Sequence, residues 1–333
     1  MLFKEDAAAR AEANAVRTNA AWYRWTHDLI DVTGSDAAAF LDWIYVNTIA
    51  KSPVGRTKYT CSLNEEGKLI DDCIVMHMGE DHYWISTLYG PHFIRWADAH
   101  KGSWQVSYRD ITKEVDMYAI QGPNSAEVVN DLIADTVDSM KRFSVFPSKA
   151  AGVDVQVHRS GFTGENGYEI YCAMGDTEKV RDAISASAEK FDVPELQILE
   201  VYVRSMPVEK GFALRQDMYQ LTPYECGMAW MLHPDEKDFI GREAVLRAKE
   251  NGPKHQLVGF ELDPSRVSYE DIAQREIIYH KGIPCGFVRT CIYGYTVDKN
   301  IGFAVVDANV PIGTEVTIGC NDAPAILTEK NWL

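Results

Sequence analysis

Residues 59–77 read YTCSLNEEGKLIDDCIVMH. A β-prone run, the group Asn64-Glu65-Glu66-Gly67, and then Lys68-Leu69-Ile70 leading into Ile74-Val75 spell a strand, a tight turn and a second strand. Asp71 and Asp72 fall inside that second strand. Adjacent strand residues point to opposite faces, so at least one of the two carboxylates is carried toward the buried side of the sheet. Burial is costly for a carboxylate that serves nothing there. An isolated Asp pair commonly caps a strand end in solvent, but residues 160–171, SGFTGENGYEIY, repeat the same build. Gly161, Gly164 and Gly167 relieve the loop, and Glu169 follows in an alternating strand. A glycine-relieved loop that feeds a carboxylate into an apolar strand offers an acceptor-only group to donors on a flat ligand.

Working outward, residues 5–20 predict an amphipathic helix. The aromatic cluster Trp22, Tyr23 and Trp25 reads first as core. A short strand, a Thr33-Gly34 turn, Ser35 as N-cap and a helix from Asp36 come next. Residues 82–90 form a strand and 91–101 a helix. Residues 115–133 give strand, turn and a helix capped by Asn124 or Ser125. Residues 152–174 form a hairpin around the glycine-rich loop, and residues 177–190 a helix. From Asp238 to Lys249 a helix is expected. Beyond His255, short strands with turns at Lys281-Gly282, Tyr293-Gly294 and Pro311-Ile312-Gly313 read as a small antiparallel barrel. The expected class is α+β, with two α+β subdomains over residues 1–245 and a C-terminal antiparallel β-barrel over 246–333.

The bulk numbers narrow the function. The 333 residues are 46% hydrophobic and 25% charged, ordinary for a globular chain, and length alone allows two or three domains. A net charge of −16 argues against nucleic acid or an anionic membrane surface as partner. The seven cysteines are scattered and include no C-x-x-C, which implies reduced thiols and a cytoplasmic setting rather than disulfides or zinc. The stretch MLFKEDAAARAEANAVR (1–17) has no apolar core of signal-peptide length, and no apolar run approaches the length of a membrane span. No G-x-G, Walker A, H-E-x-x-H or corrinoid signature occurs. His77 and His82 are expected to be exposed. Carboxylates, aromatics and glycine loops remain, a set suited to holding a heteroaromatic ring.

GKLIDDCIV, QGPNSAEVV (121–129), SGFTGENGYEIY, EKGFALRQDMYQLTPYECGMAW (209–230) and KDFIGREAVLRAK (237–249) run in this order. Together they resemble the glycine-cleavage T-protein family of tetrahydrofolate-dependent aminomethyl- and methyltransferases. The resemblance covers the chain from about Asp31 onward. It implies a cloverleaf-like multi-domain arrangement and tetrahydrofolate as the one-carbon acceptor. By the same resemblance Asp72 is the catalytic carboxylate, and Glu169 binds the pterin edge. Tyr59 and Phe162 pack on the folate, with Phe162 standing where the family commonly has Tyr. Trp84 and Phe143 are further candidates for lining the cavity. The folate's anionic tail calls for Arg or Lys near the mouth. The family's A-R-D-S-L-R-L-E block here reads YVRSMPVE, with Val203 in place of Arg, Pro207 inside the segment, and Arg204 as the candidate replacement for the basic contact.

Three readings follow from the resemblance. The first is a demethylase that moves a methyl group from a small O-, S- or N-methylated substrate to N5 of tetrahydrofolate. The second is a glycine-cleavage-type aminomethyltransferase served by a lipoyl carrier protein. The third is a non-catalytic folate-binding iron-sulfur assembly factor. That third group carries K-G-C-[YF]-x-G-Q-E, where this chain has KGFALRQD, so the cysteine is missing. The altered YVRSMPVE block favours the demethylase branch. Trp22, Trp25, Trp84 and Trp230 suit an apolar methylated donor such as a methoxy-aromatic, and a methylated sulfur compound or halomethane fits nearly as well.

Overall fold

The computed structural model describes residues 6–333 except Thr26 and Pro264. The start of the expected first helix at residue 5, and the early part of the segment read against a signal sequence, lie outside the described residues. Helix α1 (Ala7–Thr18) starts where Asp6 Oδ1 accepts from the Ala9 N–H at 2.9 Å, and it buries Ala9, Ala13 and Val16 along one stripe. Strand β1 (Ala21–Arg24) opens a sheet that the chain then leaves. A second sheet is built before the first is resumed. It comprises β2 (Asp28–Thr33), α2 (Ala37–Ile44), β3 (Thr57–Leu63), β4 (Leu69–Gly79), β5 (His82–Thr87), α3 (Gly90–His100) and β6 (Ser107–Asp110), with strand order β3-β4-β5-β2-β6. The chain returns through β7 (Val115–Gln121), α4 (Ser125–Leu132), β8 (Val145–Ala150), β9 (Val153–His158), β10 (Gly167–Ala173) and α5 (Thr177–Glu189), and completes the first sheet in the order β1-β7-β10-β9-β8.

Alternation decides what each sheet face meets. Ile30, Val32, Val75 and Ile85 pack on Phe40, Leu41, Ile44 and Phe93 of α2 and α3. Tyr118, Ile120, Val157 and Ile170 pack on Val128, Val129, Val180 and Ile184 of α4 and α5. The two faces left over meet each other. Leu29 and Met76 of one sheet share a core with Tyr23, Met117, Ala119 and Tyr171 of the other, sealed by α1 and residues 201–206. Side chains that are neither apolar nor solvated must be accommodated along this seam.

After α5 the chain makes a π-helical turn, Val201–Ser205, and enters α6 (Met206–Glu209). Pro207 accounts for the turn, since its ring clashes with a carbonyl one turn back, and the Met206 N–H donates instead to Val201 O. Helices α7 (Arg215–Met218) and α8 (Arg242–Asn251) lead to the barrel. Its strands β11 (His255–Leu262), β12 (Ile277–His280), β13 (Ile283–Gly294), β14 (Lys299–Asp307), β15 (Glu315–Ile318) and β16 (Ala323–Thr328) close in the order β11-β14-β13-β12-β15-β16. Phe260, Ile278, Val288 and Leu327 fill it. Leu257, Ile301, Phe303 and Val305 on its outside pack against Cys61, Leu63 and Leu69 of the β3–β4 hairpin. The fold is α+β with a closed antiparallel C-terminal barrel.

One buried ion pair ties these parts together. Arg17 of α1 donates to Glu209 Oε2 at 2.9 Å, to Glu165 Oε1 at 2.9 Å and to Thr163 O at 2.6 Å, while Thr296 of the barrel donates its N–H to Glu209 Oε1 at 2.7 Å. A fully buried carboxylate is tolerated here because both its oxygens are bonded.

Some local expectations shift. The helix expected from Asp238 begins at Arg242, because Gly241 sits at φ +86° as its cap and approaches Asn64 O too closely for any side chain. The cap of α2 falls at Asp36 rather than Ser35, and the Asp36 side chain accepts from the Gln105 N–H. Strand β13 runs through Tyr293-Gly294, and the turn comes after it, with Asp298 at φ +57°. His77 and His82 are half-buried rather than exposed, since His77 Nδ1 donates to Ser52 O and His82 Nε2 to Asp31 Oδ1, both at 2.6 Å.

Candidate active site

In the β3–β4 pairing Cys61 faces Asp72 and Tyr59 faces Ile74, and across β4–β5 Ile74 faces Ser86 and Met76 faces Trp84. Partners across antiparallel strands share a face, so Thr57, Tyr59, Asp72, Ile74, Trp84 and Ser86 all look into the seam between the sheets. Asp71 points the other way, where Thr87 Oγ1 donates to its Oδ2 at 3.0 Å. Its Oδ1 is buried without a hydrogen bond, and Arg215 Nε lies 3.9 Å away. Asp72 Oδ2 accepts from the Tyr59 hydroxyl at 2.9 Å. Burial is the main cause raising both carboxyls, Asp71 to about 7 and Asp72 to about 6. The charge of Asp72 adds to the rise at Asp71, while the Tyr59 hydrogen bond and the Arg215 charge restrain Asp72.

The facing sheet presents Glu169. Strand β10 sets Glu169 opposite Ala119 of β7 and His158 of β9, so Glu169, Tyr171 and His158 share the seam side. His158 Nδ1 donates to Glu169 Oε2 at 2.8 Å and the Tyr171 hydroxyl donates to the same oxygen at 2.9 Å. Burial works against the charged form, but the His158 hydrogen bond and charge, the His27 charge and the Tyr171 hydrogen bond outweigh it and hold Glu169 below its usual range. Oε1 accepts from no described donor and is not sealed off. The loop before β10 is wrapped on Gln121, which donates to Ser160 O at 3.0 Å and accepts from Thr163 Oγ1 at 2.9 Å. A Cβ on Gly161 or Gly167 would lie 1.9 or 2.2 Å from that amide, so a side chain at either position would displace Gln121 from these hydrogen bonds.

The two carboxylate centres are linked through β3. Thr57 Oγ1 lies 3.1 Å from His158 Nε2, and two residues further along the same face Tyr59 reaches Asp72. An unbroken run of rings skirts Glu169. Trp84 and Tyr171 have centroids 6.1 Å apart, Tyr171 and His27 6.4 Å, His27 and Trp25 5.4 Å, Trp25 and Phe162 6.2 Å, and Phe162 and Phe212 6.0 Å. His27 Nδ1 is 2.8 Å from Ser86 Oγ, and burial holds the imidazole below its usual pKa. The seam thus sets a run of rings beside a carboxylate oxygen that accepts from no described donor, an arrangement chemically suited to aromatic stacking and to N–H donors.

Residues 3–236 match the GCVT N-terminal domain family, and residues 255–331 match the glycine cleavage T-protein C-terminal barrel domain. The chain belongs to the glycine cleavage T-protein family. It is 30% identical over 321 residues to the aminomethyltransferase of Bacillus pumilus (strain SAFR-032), covering 93% of this chain and 85% of that protein. It is 29% identical over 335 residues to the aminomethyltransferase of Thermoanaerobacter sp. (strain X514), covering 97% and 88%. The fold matches the crystal structure of glycine cleavage system aminomethyltransferase T from Bartonella henselae with a TM-score of 0.84 at 21% identity, over 98% of this chain and 89% of that one. T-protein family members use tetrahydrofolate as acceptor, and one-carbon transfer is the class of chemistry of this chain.

Against the T-protein expectations, the structure brings Tyr59, Asp72, Trp84, Phe162 and Glu169 to one seam. Phe143 lies beside it at φ +57°, with its carbonyl accepting from the Thr57 N–H and its ring under Arg142. Arg204 sits exposed on the π-helical turn, where its charge acts on Asp217 and Tyr269. No contact brings it to Asp72 or Glu169 among the described residues. Of the four tryptophans grouped for the donor, Trp25 and Trp84 are in the ring run. Trp22 is core, because β1 turns it toward α4 and α5, and Trp230 is 65% exposed on a short 3-10 turn. Sequence reasoning missed His158, His27, Tyr171 and Arg215. His158 was within reach, since folding 152–174 about the loop sets it opposite Glu169. Among the described residues no three metal-binding side chains converge, and no helix is long and apolar enough to cross a membrane.

Proposed function

We propose that this chain is a tetrahydrofolate-dependent methyltransferase acting as a demethylase, which takes a methyl group from a small O-, S- or N-methylated donor, a methoxy-aromatic being favoured. The observation that carries the reading is the run of rings from Trp84 to Phe212 beside the open Glu169 oxygen. When bound, tetrahydrofolate would supply the nucleophilic N5 that accepts the methyl group and gives up its own proton, while the donor heteroatom would leave with the electrons of the broken bond and take up a proton where it needs one. Glu169, held charged, receives the N–H edge of the pterin, and the Tyr59 and Phe162 rings pack on it. Asp72 orients the ring and stabilises positive charge that develops during transfer. Most of the rate comes from holding two reactants in line, an effect of up to ~7–11 kcal/mol in ideal cases. Val203 in place of the family's Arg, and Pro207 with its π-helical turn, support a donor other than a carrier-bound aminomethyl group.

The name shared by the relatives supports a second reading, an aminomethyltransferase that draws on a lipoyl carrier protein. One experiment separates the two. The purified protein is titrated calorimetrically with tetrahydrofolate, and the folate is then weighed by mass spectrometry after incubation with free methylated compounds or with an aminomethyl-lipoyl carrier. A gain of one methyl group from a free compound is expected. Transfer from the carrier at an equal or greater rate would overturn the demethylase reading.

A further inference from the structure

His158 is wholly buried, and its two ring nitrogens are bonded to different sheets. Nδ1 donates to Glu169 Oε2 at 2.8 Å on the neighbouring strand, while Nε2 lies 3.1 Å from the Thr57 hydroxyl on the facing sheet. Thr57 is itself buried. Its N–H donates to Phe143 O, and its hydroxyl has no second described partner. An ionised carboxylate only accepts, so Nδ1 carries the proton in the pair with Glu169. A hydroxyl donates to a bare Nε2 or accepts from a protonated one, so Thr57 satisfies the ring in either state.

The Tyr171 hydroxyl donates to the same Glu169 oxygen at 2.9 Å. The last torsion of a glutamate is broad, and two donors converging on Oε2 remove that freedom. The direction of Oε1 is thereby fixed, and Oε1 is the oxygen that accepts from no described donor and is not sealed off. We propose that His158 is a positioning residue for ligand binding, which aims Oε1 of Glu169 by holding Oε2, with Thr57 anchoring the imidazole from the facing sheet. This rests on the reading of Glu169 as the acceptor for the pterin edge. A histidine that only filled space between the sheets would need neither nitrogen in a particular place.

The test exploits where amide nitrogens fall. Asparagine at this position sets its amide nitrogen near the place of Nδ1, and glutamine near that of Nε2. His158→Asn therefore keeps a donor for Glu169, whereas His158→Gln keeps the Thr57 contact and loses that donor. Tetrahydrofolate is titrated calorimetrically into wild type, both variants, Glu169→Gln and the double variant with His158→Gln, and melting temperatures are recorded. His158→Gln should raise Kd about 10-fold or more and His158→Asn about 3-fold or less, although glutamine replaces more of the imidazole's volume. In the Glu169→Gln background, His158→Gln should weaken binding no further. Equal losses in the two single variants, or a larger loss with asparagine, would overturn the proposal in favour of packing. Where neither variant folds, Thr57→Val and Thr57→Ser decide. Valine removes the hydroxyl and should weaken binding, serine should restore it, and equal binding by the two would overturn the proposal. No binding by wild type, or an unchanged Kd in Glu169→Gln, would remove the folate reading of Glu169 and the proposal with it. A Kd raised in Glu169→Gln but equal in both His158 variants would remove the role of His158 alone.

Discussion

Glu169 and Asp72 stand on facing sheets of one seam, yet their surroundings treat charge in opposite ways. Glu169 has its burial offset by His158, His27 and Tyr171 and stays ionised through the neutral range. Asp72 has one described side-chain hydrogen bond, from Tyr59, and burial, with the charge of Asp217 added to it, pushes the carboxyl up to about 6. When two carboxyls are held apart in this way, their roles separate. A permanently charged acceptor suits binding, and a carboxyl that titrates near neutrality suits a place where charge changes during reaction. The contrast breaks if mutations at the two positions have the same consequences.

The largest expected effect is on Asp72. Asp72→Asn keeps the shape and removes the charge, and kcat should fall about 10²–10³-fold while tetrahydrofolate binding is kept. Calorimetry alongside single-turnover kinetics checks this, and equal loss of binding and turnover would erase the distinction. Glu169→Gln should do the reverse. One charge-assisted acceptor is lost, worth about 1.5–3 kcal/mol, so the folate Kd should rise roughly 10–100-fold with a smaller change in kcat.

A stability measurement sharpens the same contrast. Asp71, Asp72 and Asp217 all have folded pKa values above the ordinary 3.8, at about 7, 6 and 6, chiefly through burial. The folded protein therefore binds more protons than the unfolded chain between about pH 4 and 7, and stability falls as pH rises through that window. Asp71→Asn removes one buried charge. It should stabilise the protein at pH 8 by on the order of 2 kcal/mol, with little difference at pH 4.5, as read from urea melts at the two pH values. Glu169, lowered instead of raised, contributes the opposite slope at lower pH. A wild-type stability that rises between pH 5 and 8 would mean that Asp71 is paired with Arg215 more strongly than a 3.9 Å separation and an Oδ1 without a hydrogen bond indicate.

This contrast was half legible in the sequence. The period of two in β4 placed Asp71 and Asp72 on opposite faces, and the glycine loop announced Glu169, because both are local properties of one strand. What distinguishes the two carboxylates is not local. Arg215 reaches Ile70 across 145 positions, and Thr57 reaches His158 across 101. No pattern in either stretch fixes those distances. The barrel was readable from its turns and alternation, whereas the Arg17–Glu209 knot, 192 residues apart, needed the packed fold. The helix at Asp238 was placed early because propensity does not register that Gly241 is pressed against Asn64 O.

The smallest effect tests the link from Tyr59 to Asp72. Its hydroxyl is the one described side-chain donor to Asp72, and that hydrogen bond favours the carboxylate. Tyr59→Phe keeps the ring that faces the seam and removes about 1 kcal/mol of that preference. Asp72 should then titrate higher by somewhat under about one unit, since one unit corresponds to 1.36 kcal/mol. Under the proposed role, in which Asp72 acts as the charged form, the acid limb of kcat/KM should move up by the same amount. At pH 8, where Asp72 is ionised in both proteins, the rates should nearly meet. A rate deficit constant across pH would show that the hydroxyl serves the reaction directly instead of through the charge on Asp72. An unshifted limb with full activity would place the titration near pH 6 on a carboxyl other than Asp72.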